Sequence, residues 1–288
     1  MSLAAHVERR AAIINQAKRA HEVKTLIIDV ERLPGWATVQ IGDITINGPF
    51  WSLNDFKRRG ILRRRINPDE VTEWPRTITA SWRWFGNTKI HFAAEWQQGG
   101  AQAFAEKVRD KMDKADIVSG HYVNGADRKW LNSLFRDHGL RFPSPYRVID
   151  TLAVARRELG DESMQLGALC TRYGIPTKQG KYDAHVARRA CNGSRKDQAE
   201  IREYNMADVE ASTGLLAVML PIVRSMPHAA PIKGIDNNLC PRCGSADITR
   251  HGTYSPQVHV YPRYLCNTCT GWYTVRHTQL RGPSVKTL

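Results

Sequence analysis

The run Thr25-Leu-Ile-Ile-Asp-Val-Glu31 is apolar and β-branched, with acids entering at alternate positions, and predicts a strand that Leu33-Pro34-Gly35 ends. Ala37 to Ile41 predicts a shorter second strand. Thr77 to Phe85, a Gly86-Asn87 turn and Thr88 to Phe92 together predict a hairpin. Between Gly100 and Ala115, Phe104, Val108 and Met112 recur at helical spacing. Asp116 to Gly120 predicts a short strand leading into a helix from about Gly125 to Asp137, and Arg147 to Asp150 a further strand. From Leu152 to Leu220 the pattern is helical, broken at Gly160, at Gly174-Ile175-Pro176 and at Asn192-Gly193. Strands first, then alternation, then helices predict an α/β domain with a mixed sheet flanked by helices.

The remaining segments are less regular. Ala11, Ile14, Ala17 and Ala20 suit an amphipathic basic helix over residues 1–24. Asp43 to Glu73 holds Lys57, Arg58, Arg59, Arg63, Arg64 and Arg65 beside Trp51 and Phe56. Two readings stay open there: a solvated loop or surface helix, and an arm that grips phosphates and stacks bases. A Pro/Gly/Asn-rich linker at 226–238 precedes a small unit at 239–276 and a basic tail at 277–288.

Lys and Arg number 42 against 28 Asp and Glu, a formal net charge of +14, which favours a polyanionic partner and nucleic acid first. No apolar stretch approaches the roughly 20 residues that span a bilayer, and the N-terminus lacks the short apolar core of a secretory signal. The expectation is a cytoplasmic protein with no membrane partner. Six cysteines are few for 288 residues, which argues against a disulfide framework; Cys170 and Cys191 read as ordinary thiols in helices.

Asp29 and Glu31 are two apart on one strand and therefore share a face, while Leu26, Ile28 and Val30 cover the other. Two adjacent carboxylates repel, and a divalent cation removes that penalty; taken alone, the pair can equally reach solvent at the strand end. Asp127 opens a helix after the glycine turn Gly120-His121-Tyr122, and Tyr204 and Asp208 are four apart on one helix face. Alone, each of these too has a plain reading, a first-turn acid and a solvated Asp beside a half-buried Tyr. In this order the three segments resemble the DEDD exonuclease superfamily, tyrosine subclass, and are most similar to the exonuclease domains of family B polymerases. That family's motifs are Asp-x-Glu on the first strand, a Gly-His-Asn-like turn ending in Asp, and Tyr-x3-Asp. Tyr122 stands where the family often has Asn. Tyr182 to Ala187 does not supply the His-x4-Asp of the histidine subclass, so Asp183 and His185 read as helix residues.

The resemblance covers Thr25 to Leu220 and implies a ribonuclease H-like 3′–5′ exonuclease domain over residues 25–225. It implies Asp29, Glu31, Asp127 and Asp208 as ligands of two Mg²⁺ or Mn²⁺ ions and Tyr204 as the residue orienting the attacking water. Such a centre would hydrolyse phosphodiesters at nucleic-acid 3′ ends, DNA ahead of RNA, with Arg58, Arg59, Arg63, Arg64, Arg65, His121 and Tyr122 as nucleic-acid contacts. The alternatives are a ribonuclease H-like strand-transfer or junction endonuclease and a non-catalytic nucleic-acid-binding scaffold. A replication or recombination protein is the protein partner considered.

Cys240-Pro-Arg-Cys243 and Cys266-Asn-Thr-Cys269, separated by 22 residues, fit tetrahedral structural Zn²⁺. The segment resembles the zinc ribbons at the ends of transposases and other DNA-associated proteins. Arg242, Arg250, Arg263, Arg276 and Trp272 lean its reading towards nucleic acid rather than a protein partner.

Overall fold

The computed structural model of the protein describes residues 24–58, 65–177, 182–223, 240, 245–256, 259–268 and 270–274. The expected N-terminal helix, linker and basic tail lie outside the described residues, as do Arg59, Arg63, Arg64, Cys243 and Cys269.

The main sheet has five strands: β1 (Thr25–Leu33), β5 (Arg76–Trp84), β6 (His91–Ala94), β7 (Ile117–Gly120) and β8 (Arg147–Asp150). Their order is β6-β5-β1-β7-β8; β1/β5 and β5/β6 pair antiparallel, β1/β7 and β7/β8 parallel. Helices flank it: α2 (Gly100–Asp113), α3 (Asp127–Asp137), α4 (Thr151–Glu158), α5 (Leu166–Arg172), α6 (Ala184–Cys191) and α7 (Arg195–Met219). The mixed sheet and flanking helices are those the sequence predicts, and their topology is compatible with a ribonuclease H-like fold. The helix breaks fall at the glycines named above, because each helix stops where the chain needs a turn.

The alternation of β1 sorts its side chains between two cores. Leu26, Ile28 and Val30 pack with Phe104, Val108 and Met112 of α2 and Leu131 and Phe135 of α3. Ile27 packs on the opposite face with Leu169 and Cys170 of α5 and Leu215 and Leu216 of α7. Asp29 and Glu31 lie on the Ile27 side, nearer the C-terminal end of the strand, where the apolar packing gives way to half-buried positions.

Two details differ from the sequence reading. The β5–β6 hairpin is present, but β6 starts only at His91: Trp82 pairs with His91, and the Arg83 guanidinium donates to the Thr88 carbonyl at 2.8 Å inside the connection. The stretch from Asp43 to Glu73 is not one loop. β2 (Trp36–Ile41) pairs with β3 (Ile44–Pro49) across a Gly42-Asp43 turn and with β4 (Val71–Glu73), and α1 (Phe50–Arg58) packs Leu53 against Ala37 and Val39. Gly42 has φ +60°, the left-handed conformation a tight turn here requires. This small sheet is tied to the main body by Arg76, which bonds Glu73 and Glu95, and by Arg188, 3.3 Å from Glu73.

A third sheet, β11-β10-β9, is formed by β9 (Ile248–Tyr254), β10 (Tyr261–Cys266) and β11 (Trp272–Thr274). Its Ile248, Cys266 and Tyr273, together with Cys240, belong to the same apolar cluster as Leu216, Met219 and Leu220 at the end of α7. Among the described residues no helix is long and apolar enough to cross a membrane.

Candidate functional site

Strand β1 delivers Asp29 and Glu31 to one face, and α7, crossing that face, delivers Asp208. One carboxylate oxygen from each of the three lies within 4.8 Å of the others, a spacing that can hold a metal ion. Asp29 is held in place by Asn205, a residue outside the sequence motifs. The Asn205 side-chain NH₂ donates to Asp29 Oδ2 at 2.6 Å and to the Asp29 carbonyl at 3.2 Å, while its Oδ1 accepts from the Thr79 hydroxyl at 3.2 Å. Asn205 is fully buried and joins β1, β5 and α7 through one amide. The signal was present in sequence: an Asn between Ile201 and Asp208 on the helix stripe that faces the sheet has to find partners there.

Asp127 stands beside this triad as the first residue of α3. Its Oδ1 accepts the N–H of Val30, the residue between Asp29 and Glu31, at 3.1 Å. Burial pushes its carboxyl up to about 7, the Val30 hydrogen bond works against that rise, and the nearby charges of Asp150 and Asp208 add to it. A fourth acid is thus held close to the three that meet, and its burial favours either a retained proton or a nearby cation.

Asp150 is the second residue missed from sequence. It caps α4 by accepting from the N–H groups of Leu152 and Ala153, and it also accepts from Tyr122 and Asn124, both at 3.0 Å. One carboxylate therefore fixes the turn between β7 and α3. Tyr122 has φ +69°, and its ring lies where a Cβ on Gly125 would be, at 2.1 Å. A Cβ on Gly120 would meet the Ile28 carbonyl at 2.8 Å. These contacts account for both glycines of the turn.

His121 spans from this turn to the α4–α5 connection: its Nδ1 lies 3.0 Å from the Thr151 hydroxyl and its Nε2 2.9 Å from the Met164 carbonyl. Burial lowers its pKa, against the opposing effects of the Met164 carbonyl and Asp150. With a neutral ring, Nε2–H donates to Met164 and Nδ1 accepts from Thr151. A cleft of about 370 Å³ opens on Asp29 and Asp208 and is lined also by His121, Leu166, Gly167, Thr177 and Ala211.

Tyr204 is half-buried one helical turn before Asp208. Its ring lies 6.0 Å from that of Tyr182, whose hydroxyl donates to the Arg32 carbonyl at 2.7 Å. Burial and the Glu31 charge raise the Tyr182 pKa. Asp183 caps α6 through the His185 N–H, and the His185 ring packs edge-on against Trp36 at 5.1 Å. Among the expected nucleic-acid contacts, Arg58 closes α1, Arg65 is exposed, and Tyr122 is 49% exposed.

The Cys240 N–H bonds the Ser245 carbonyl at 2.8 Å, and the Cys266 N–H bonds the Gly271 carbonyl at 3.1 Å. The Ser245 and Thr268 hydroxyls are 2.9 Å apart. Cys240 and Cys266 are both buried.

No family model matches the chain, and no curated protein matches it. A solved family B DNA polymerase from the hyperthermophilic archaeon Pyrobaculum calidifontis is similar over 69% of this chain, with 14% identity and a TM-score of 0.45. The chain spans 25% of the length of that polymerase.

Proposed function

We propose that the protein is a metal-dependent 3′–5′ exonuclease with a ribonuclease H-like catalytic domain and a C-terminal zinc ribbon. The observation that carries this reading is the convergence of Asp29, Glu31 and Asp208, with ligand oxygens within 4.8 Å, where Asp29 and Asp208 line a cleft of about 370 Å³. The donor set fits hard divalent cations: it consists of carboxylate oxygens, and a fourth acid, Asp127, is held against the same strand. Asp29, Glu31, Asp208 and Asp127 would hold Mg²⁺ or Mn²⁺. When bound, two such ions activate water, neutralise the scissile phosphate and stabilise the leaving 3′-oxygen.

The chain's own groups do the positioning. Asn205 fixes the Asp29 carboxylate, and Asp127 keeps α3 registered on β1 at Val30. Tyr204, one turn from Asp208, orients the attacking water. His121 and Leu166 shape the cleft that receives the terminal nucleotide. The positive surplus of the chain offsets the acids, which alone would repel a nucleic acid. In the C-terminal unit, Cys240, Cys243, Cys266 and Cys269 would hold zinc: their two Cys-x2-Cys pairs supply four soft ligands, and Cys240 and Cys266 are both buried in one cluster.

Digestion of 5′-labelled oligonucleotides tests the reading. With Mg²⁺ or Mn²⁺, single-stranded DNA should give a ladder shortening from the 3′ end, absent in EDTA and reduced at least about 100-fold in Asp29→Ala and Asp208→Ala. Intact substrate across single- and double-stranded DNA and RNA would overturn it, and cutting of closed circular DNA would turn the reading towards a junction or strand-transfer enzyme.

A further inference from the structure

The β9–β11 sheet has two chemically different faces. Ile248, Cys266 and Tyr273 belong to the cluster at the end of α7, and Tyr264 stacks on its register partner Tyr273 at 5.5 Å and 19°. The alternate positions carry a different set. Trp272, 44% exposed, pairs with Leu265, two residues along β10 from Arg263. The Arg263 guanidinium lies over the Trp272 ring at 5.0 Å, and its Nε–H donates to the His251 carbonyl at 3.1 Å. The His251 ring packs edge-on against Trp272 at 5.3 Å. An exposed indole, an imidazole and a guanidinium therefore form one contiguous patch spanning all three strands.

We propose that this outer face binds single-stranded nucleic acid, with Trp272 as the base-stacking platform and Arg263 as the phosphate contact. Three observations select that occupant. Residues 239–288 carry six Lys and Arg against one Asp, so the unit is complementary to a polyanion. With Arg263 over its ring, the 44% exposed Trp272 presents a stacked guanidinium–indole pair on which a base can lie, and the same guanidinium can donate to a phosphate. The Nε–H bond to His251 also preorganises the guanidinium, which leaves its terminal amino groups as the ones a phosphate meets. The opposite face is committed to the protein's own apolar cluster, so the strand is received on this side. The face acts as a holding site, independent of sequence, for a strand whose end is processed elsewhere on the same chain.

Fluorescence anisotropy of a 5′-fluorescein-labelled oligothymidylate, titrated with the full chain at several salt concentrations in buffer without added Mg²⁺ or Mn²⁺, tests this. Trp272→Ala should weaken binding about ten-fold, while Trp272→Phe, which keeps a stacking ring, should stay within about two-fold of wild type. Arg263→Ala should lower the slope of log affinity against log salt by about one. Equal affinity and equal salt slope for wild type, Trp272→Ala and Arg263→Ala would overturn the proposal. So would an equal loss in Trp272→Phe and Trp272→Ala with unchanged zinc content and near-UV dichroism. Because leaving out Mg²⁺ and Mn²⁺ silences hydrolysis without chelating zinc, failure here leaves the exonuclease reading standing, and failure of digestion leaves this one standing.

Discussion

Asn205 separates the orientation of the centre from its charge. Asn205→Ala leaves every carboxylate in place but removes the donor that fixes Asp29 Oδ2 and leaves the Thr79 hydroxyl without its acceptor. Loss of a hydrogen bond that orients a metal ligand lowers metal affinity about 10–100-fold, and a buried polar group left unpaired costs about 1–3 kcal/mol. Isothermal titration with Mn²⁺ and urea denaturation should register both losses; unchanged Mn²⁺ affinity beside a lowered stability would reduce Asn205 to a structural residue. Asp127 carries a pH signature of known sign. Its carboxyl, pushed up to about 7 from an ordinary 3.8, keeps a proton in the fold that the unfolded chain has already released. The unfolded state therefore binds fewer protons between these values, and stability in EDTA falls as pH rises from about 4 to about 7, then levels. Asp127→Asn retains an oxygen for the Val30 N–H and has no charge to repel Asp150 and Asp208. Urea melts at pH 4.5 and 7.5 should show wild type losing on the order of a few kcal/mol relative to Asp127→Asn across that interval. Parallel pH profiles for the two proteins would mean that the carboxyl ionises at its usual pH.

At the scale of elements, what could be read in the sequence followed from how much of each segment one core decides. β1 was legible because its alternation sorts Leu26, Ile28 and Val30 from Asp29 and Glu31, and the structure uses that division directly. The glycine breaks between α4 and α7 were legible for the same reason: nothing but a turn fits there. β3 was not, because Ile44-Thr-Ile-Asn-Gly-Pro49 is exposed over most of its length and ends in residues that disfavour strands; its pairing with β2 is a tertiary event. The Gly86-Asn87 signal was right about a reversal and wrong about its length, since a polar contact from Arg83 to Thr88 holds the chain off the ladder until His91. At the candidate site, the acids announced themselves by spacing, and three of them meet. Asn205 and Asp150 stayed hidden because their partners are 176 and 28 residues away, at the Asp29 carboxylate and the Tyr122 amide. A polar residue on a buried helix stripe, or an acid that both ends a strand and starts a helix, signals that partners exist without naming them.

At the scale of the whole molecule, the apolar cluster raises the question of whether the C-terminal sheet is an appendage or part of the body. Cys240, fully buried Cys266, Ile248 and Tyr273 share that cluster with Leu216, Met219, Leu220 and Val223 at the end of α7. Helix α7 also carries Asp208, so the same 25-residue element links the candidate metal centre to the cluster that holds Cys240 and Cys266. Cys266→Ser exchanges a buried thiol for a hydroxyl in apolar surroundings, a change that costs about 1–3 kcal/mol before any lost zinc ligation is counted. If the cluster works as one unit, that cost is felt by the entire fold. Calorimetry should then show a single transition that moves down in temperature, with zinc content by mass spectrometry falling in the same variant. The melting signal of the main sheet, followed by tryptophan fluorescence and far-ultraviolet dichroism, should move with it. A main transition that stays at its wild-type temperature while a smaller one separates below it would show that the two units fold independently, and that α7 transmits nothing from Cys240 and Cys266 to Asp208.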